Sequence, residues 1–289
     1  MDQITFTAAR KFADIPSGRI AYVEQGAGPA AIFIHGVIVN GWLWRKQLEE
    51  LSDLRRCIAI DLMGHGWTEI ASGQDVTFDG QAQMLVEFLD ALGIDKADFV
   101  ANDSGTGVAQ VFAAKHPDRV RTLVLTNGDV HDNWPPKDFS GFLDMVAAGG
   151  LPETLQRMLD DKDFYRGPDA MAGAYEHPEH VSDETIETYI RPHVASPERT
   201  DKLARFILGF DNAQTVRVED LLKQVKAPTL AAWGTDDIFF PVDAAHWLQK
   251  TLSGPVTIEE FPDGRMFFPE ERAEALNAKI RTHWITYSQ

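Results

Sequence analysis

Cysteine is almost missing from this chain: Cys57 is the one thiol in 289 residues. An intrachain disulfide is therefore excluded, and nothing in the cysteine count points to secretion. Basic residues are also scarce, with 27 Lys and Arg against 44 Asp and Glu and a formal net charge of −17. No Lys/Arg cluster forms. That disfavours nucleic acid as a partner, because phosphate contacts need such clusters, and it disfavours an anionic membrane surface for the same reason. The acidity itself reads as a device for solubility. No apolar run approaches transmembrane length, and the opening "MDQITFTAARKFADIP" has no apolar core of signal-peptide length. The expectation is a soluble cytoplasmic protein, monomer or homodimer, that takes no cofactor and meets a small-molecule substrate.

What is present is rhythm. Short β-rich runs alternate with amphipathic ones: "RIAYVEQG", "AAIFIHG", "RCIAIDL", "ADFVAND" and "RTLVLTNG" read as strands. "GWLWRKQLEEL", "FDGQAQMLVEFLDALG" and "GVAQVFAAKHP" read as helices, the second stopped at Gly93 and the third at Pro117. The alternation lapses from about Asp129 to Thr215, which is helical and rich in His, Pro and charge. It resumes with "APTLAAWGTDD", "PVDAAHWLQKTL", "VTIEEFP" and "EERAEALNAKIRTHW". Strand–helix alternation predicts an α/β fold, a mostly parallel sheet flanked by helices. Residues 1–128 and 216–289 form the core on this reading. Residues 129–215 form a helical cap over the carboxyl ends of the strands, where ligands of open α/β sheets bind.

"VANDSGTG" runs from a strand directly into a helix. A sharp strand–turn–helix exposes its apex residue and brings the residues two before and two after it into close backbone approach, so those must be small. With Ser104 as apex the flanks are Asn102 and Thr106, which are not small. With Asp103 they are Ala101 and Gly105, which are. The competing reading is that Asp103 only caps the helix.

With these residues in place, the chain resembles the α/β-hydrolase family, in particular its Asp-nucleophile branch of haloalkane dehalogenases and epoxide hydrolases. "FIHG", "DLMGHG", "NDSG", "KHPDRVRTLVL", "WGTDD" and "FFPEER" occur in that family's order, from about Phe12 to Trp284, with a loose match over the cap. The resemblance implies Asp103 as nucleophile and Gly36, after His35, in the oxyanion-hole turn, with the N–H groups of Val37 and Ser104 as donors. It also implies Asp237 as the acid that orients a histidine. The histidine position itself, in "FPDGRMFFPEER", falls on Met266, between Arg265 and Phe267. His35, Gly36, Trp42, Met266 and Phe267 are candidate substrate contacts. Each has a plainer alternative: a structural imidazole at His35, a brace or cap at Asp237, core packing at Met266 and Phe267.

Two departures bear on the chemistry. The positions that hold a leaving halide in dehalogenases carry Ser104 and Val37, and no indole stands there. Tyr165, Tyr175 and Tyr189 lie in the cap, where epoxide hydrolases keep proton-donating tyrosines. The missing histidine matters more. A carboxylate at a helix N-terminus is expected to be ionised near neutrality and to attack without a base. Release of the resulting ester needs an activated water, and loss of a general base typically costs about 10²–10⁴-fold. Three readings follow: another base substitutes, with His131 as the candidate; Asp103 relays a proton in a lyase, isomerase or cyclase; or the protein binds a ligand without turnover. The expectation is an enzyme acting on a small, largely apolar molecule, hydrolytic first. Phe139, Phe142, Phe164, Tyr165, Phe206 and Phe210 supply the apolar pocket and the cap core between them.

Overall fold

The computed structural model describes residues 1–287. Eight strands build one sheet: β1 (Lys11–Ile15), β2 (Gly18–Gln25), β3 (Ala30–Ile34), β4 (Arg56–Ile60), β5 (Ala97–Asp103), β6 (Val120–Gly128), β7 (Thr229–Gly234) and β8 (Val256–Phe261). Their order is β1-β2-β4-β3-β5-β6-β7-β8. β2 runs antiparallel to both of its neighbours, and all other pairs are parallel. β3, β5 and β7 are buried along their whole length. Both faces of these strands are covered by helices, which is why they read as unbroken apolar runs rather than as alternating ones.

One buried carboxylate is paired at the foot of the sheet. Asp98 on β5 meets Arg55 at 2.7 Å, Arg121 at 2.9 Å and the Thr122 hydroxyl at 2.8 Å. An anion with several donors survives burial where a lone one does not. This cluster fixes the amino ends of β5 and β6 and leaves their carboxyl ends free for the site.

Among the described residues no strand lies between β6 and β7. The segment folds instead into helices, chiefly Ser140–Ala147, Leu151–Asp160, Asp183–Val194 and Pro197–Leu208. The last two start on serine caps, Ser182 to the Thr185 N–H and Ser196 to the Arg199 N–H. The segment is bound to the rest by buried polar contacts. The Tyr189 hydroxyl donates at 3.0 Å to Glu270, which Arg45 holds at 2.6 Å, and Asn40 donates to the Thr188 carbonyl. No helix among the described residues is long and apolar enough to cross a membrane.

Two details differ from the sequence reading. "GWLW" forms a tight three-residue-per-turn helix before the α-helix Arg45–Leu51 begins. The N-terminal region holds a helix, Gln3–Ala8, and the edge strand β1. Each buries a single residue, Phe6 and Ala13, so neither leaves a periodic apolar signal.

Candidate active site

β5 lies at the centre of the sheet and ends at Asp103, where the helix Ser104–Lys115 begins. Asp103 has φ 55° and ψ −130°. A side chain held there costs on the order of 1–3 kcal/mol, so the surroundings must impose it. They do so through close backbone approach. A Cβ on Gly105 would stand 2.5 Å from the Ile34 carbonyl and 2.6 Å from that of His35, and one on Gly128 would strike the Asp103 carbonyl. One on Gly36 would occupy the Asp103 carboxylate itself. The Asp103 side chain makes no capping bond to its helix. It turns instead to the Val37 N–H, which donates to Oδ2 at 2.8 Å, and the Ser104 N–H adds a second donor.

His35 builds the turn that presents this N–H. Its Nδ1 donates to the Gly36 carbonyl at 2.7 Å, and its Nε2 accepts from the Leu62 N–H at 2.9 Å. Both ring nitrogens are used within the fold, so His35 is a brace and not a substrate contact. Burial drives its pKa down to about 3, which keeps it neutral. His193 supports the next residue, its Nε2 donating to the Ile38 carbonyl at 2.7 Å.

Three carboxyl groups gather at the strand ends. Asp103 is 3% exposed, Asp129 1% and Asp237 9%. Asp129 directly follows β6. The Ser104 hydroxyl bonds to it, and its Oδ2 has no hydrogen-bond partner among the described residues. Asp237 accepts the Phe239 N–H at 2.9 Å through Oδ1, while its Oδ2 is buried and unpartnered. Burial pushes Asp103 up to about 7, with the Asp237 charge adding to the rise and the Val37 and Ser104 amides opposing it. Asp237 is raised to about 6, also by burial. Asp129 is raised well above the ordinary range by burial and by the Asp103 charge. The expectation of a freely ionised Asp103 is therefore corrected: two amides and a helix terminus do not outweigh complete desolvation beside other acids.

Met266 reaches the site through its backbone. Its carbonyl accepts from Asn102 Nδ2 at 2.8 Å, one residue from the apex, and its side chain is 5% exposed. Among the described residues no imidazole hydrogen-bonds to Asp103. His131, the candidate substitute base, is held elsewhere. Its ring stacks on Trp247 at 4.6 Å, with Nε2 3.1 Å from Glu219 and Nδ1 3.2 Å from Asp132. Its backbone φ of 51° turns the side chain that way. Trp42 is also displaced from its expected place. It packs on Phe6 and under Arg45, and its Nε1–H donates to Thr185. Phe267 is fully buried against Tyr175 and donates its N–H to the Ala174 carbonyl.

A cavity of about 380 Å³ opens above the turn. Val37, Ile38 and Met266 line it from the core, and Phe139, Phe142, Phe164 and Met158 from the helical segment. Asp103 is not among the lining residues. It lies behind Val37, whose N–H holds it. Tyr165, Phe206 and Phe210 pack away from the cavity. The Tyr165 and Tyr175 hydroxyls face each other at 3.3 Å, and that of Tyr189 is taken by Glu270. A larger hollow of about 700 Å³ lies at the amino ends of β5, β6 and β7 among Lys96, Asp118 and Arg121. That is the wrong end of a parallel sheet for a ligand site.

The strand order, the strained apex after β5 and the amide-bearing turn after β3 make one arrangement, and a family model described as alpha/beta hydrolase fold matches residues 29–272. The chain belongs to the α/β-hydrolase fold family. This hydrolase-fold chain is 28% identical over 277 residues to haloalkane dehalogenase 2 of Mycobacterium tuberculosis, covering 92% of each protein. It is 27% identical over 277 residues to epoxide hydrolase 3 of Xenopus tropicalis, covering 91% of this chain and 74% of that one. Among solved structures, the epoxide hydrolase CorEH without ligand aligns over 96% of this chain and 98% of its own, with a TM-score of 0.80 and 20% identity.

Sequence reasoning missed Asp129, which it took as the start of the helical stretch. The available signal was position, since it follows directly on "TNG" at a strand end.

Proposed function

We propose that the protein is a hydrolase in which Asp103, set behind the Val37 wall of the cavity under the helical segment, attacks a carbon atom of a small apolar electrophile that reaches it from that cavity. The observation that carries this reading is the posture of Asp103: its Oδ2 sits on the Val37 N–H at the apex of a strained turn. One carboxylate oxygen is thereby anchored while the other is available to attack. The same amides then stabilise the oxyanion when water adds to the ester.

In the first step the carboxylate oxygen forms a C–O bond as the carbon–leaving-atom bond breaks, and the leaving atom departs with the electron pair. The two residues whose N–H groups face Asp103, Val37 and Ser104, carry neither an indole nor an amide side chain to receive a halide, and the Asn102 amide donates to Thr126 and the Met266 carbonyl. Asp129, kept protonated by its surroundings, is the candidate donor to a leaving oxygen. An epoxide is therefore the better-served substrate. In the second step water attacks the ester carbonyl carbon and gives its proton to Asp237. The tetrahedral intermediate collapses, the alcohol oxygen leaves and takes the proton from Asp237, and the second proton of the water passes from Asp103 to Asp129, which restores both the Asp103 carboxylate and the donor spent in the first step. Asp237 suits the role of base because its raised pKa of about 6 and unpartnered oxygen let it accept a proton near neutrality. The named activities of the dehalogenase and epoxide hydrolase relatives support this class of chemistry.

A second reading, proton relay by Asp103 without covalent attack, is favoured by its pKa of about 7 among other acids. Intact-mass measurement after incubation with small alkyl epoxides and bromides separates the two. The hydrolytic reading expects turnover by the wild type, an ester adduct that accumulates in Asp237→Asn, and neither in Asp103→Asn. Unchanged turnover in Asp103→Asn sinks both readings. Turnover that depends on Asp103 but never yields an adduct in Asp237→Asn favours the relay. Met266→His is expected to speed ester release by about 10²-fold if the loop stands where the base belongs.

A further inference from the structure

We propose that His177, Glu179 and His180 form a binding site for a divalent transition-metal ion, zinc above all, on the surface of the helical segment. The sequence reads H-P-E-H. Pro178 opens the short helix Pro178–His180, whose tight winding brings residues three apart onto the same side. The two imidazoles accordingly face each other, with centroids 5.1 Å apart and planes inclined by 33°. Glu179 sends Oε1 between them, 3.4 Å from His177 Nδ1 and 3.9 Å from His180 Nε2. The three donor atoms all lie within 4.8 Å of one another. In a tetrahedral zinc site with bonds of about 2.0–2.1 Å, neighbouring donors stand roughly 3.3–3.4 Å apart. One edge already has that length, and small rotations of the exposed His180 side chain close the rest.

A second observation distinguishes this group from a chance surface cluster. The far nitrogen of His177, Nε2, stands 3.4 Å from the Glu176 carboxylate. Glu176 is in turn held by both Nε and Nη2 of Arg272, at 2.7 and 2.6 Å. The N–H groups of Glu176 and His177 both donate to the Glu271 carboxylate. A carboxylate on one ring nitrogen places the proton there and turns the lone pair of the other outward, the usual support for a metal-ligating histidine. His177 is thus aimed by its neighbours at the point where Glu179 and His180 converge. Two imidazoles and one carboxylate suit zinc, with a fourth position left to solvent. The strongly acidic chain favours the approach of a cation.

The test is titration of chelator-treated protein with zinc chloride by calorimetry, with cobalt(II) absorption as a second readout. One zinc per chain is expected, together with a four-coordinate cobalt spectrum. The double variant His177→Ala/His180→Ala should bind more than tenfold more weakly and lose the spectrum, while His131→Ala should match the wild type. Glu176→Gln should weaken binding by about tenfold, since it takes the carboxylate from beside His177 and leaves all three ligands in place. No stoichiometric zinc in the wild type, or equal affinity in the double variant, overturns the proposal.

Discussion

Two buried clusters of titratable groups flank the turn from His35 to Ile38, and they solve opposite problems. On one side Asp103, Asp129 and Asp237 are buried acids whose pKa values are raised. On the other, His35, His65 and His193 are buried imidazoles whose pKa values are lowered, His35 to about 3 and His193 to about 4. Burial favours the uncharged form of either type. His35 and His193 are held as neutral rings through the Gly36 carbonyl, the Leu62 N–H and the Ile38 carbonyl, while His65 has Nδ1 at the Met63 carbonyl and Nε2 without a partner among the described residues. Asp129 and Asp237 each keep an oxygen without a partner. The acids keep two such atoms and the imidazoles one, His65 Nε2, so the greater capacity to bind and exchange protons is left among the acids.

The comparison breaks most sharply at Asp103. Asp103→Asn is expected to lower turnover by on the order of 10⁴-fold or more, as removal of a nucleophile does, measured as kcat on the best epoxide found. Gly36→Ala comes next. The new methyl group collides with the Asp103 carboxylate, so a folded protein with activity down by about 10²-fold is expected, read by kinetics alongside circular dichroism. On the imidazole side, His35→Ala should leave activity assays secondary to stability. It strands the Gly36 carbonyl and the Leu62 N–H, at a cost of about 3 kcal/mol in urea unfolding.

The smallest effect concerns pH. The imidazoles, with folded pKa values below the ordinary 6.5, contribute stability that is present above that value and lost as pH falls toward about 4. The acids, with folded values above the ordinary 3.8, contribute stability that is present at low pH and lost as pH rises toward about 6 to 7. Between about pH 4 and 6 the slopes oppose each other, each group supplying at most about 1.4 kcal/mol per pH unit. Relative to the wild type, Asp103→Asn should make stability rise more steeply with pH over this range. His193→Gln should tilt it the other way. Equal slopes in both variants would mean that the two clusters do not titrate as described.

Much of the fold could be read from the sequence because buried parallel strands concentrate apolar residues and their helices end on Gly or Pro. The apex was legible for a steric reason, since Ala101 and Gly105 are the small flanks that a turn centred on 103 requires. Side-chain direction was not legible. His131 is two residues from Asp129, yet a positive φ sends its ring to Trp247 while Asp129 stays inside. Trp42 sits on a tight helical turn rather than an α-helix, which directs it to Phe6. The state of Asp103 was misjudged because sequence shows the helix that favours its charge, not the complete burial that opposes it or the other acids that folding brings beside it.

The loop that carries Met266 is tethered on both sides of one peptide. The Met266 carbonyl is bound to Asn102 at the elbow, and the Phe267 N–H is bound to Ala174 in the helical segment. Any lifting of that segment to admit a guest therefore tugs on the chain next to a floor residue of the chamber. The placing of that segment and the alignment of the chamber floor are thus coupled through a single peptide unit.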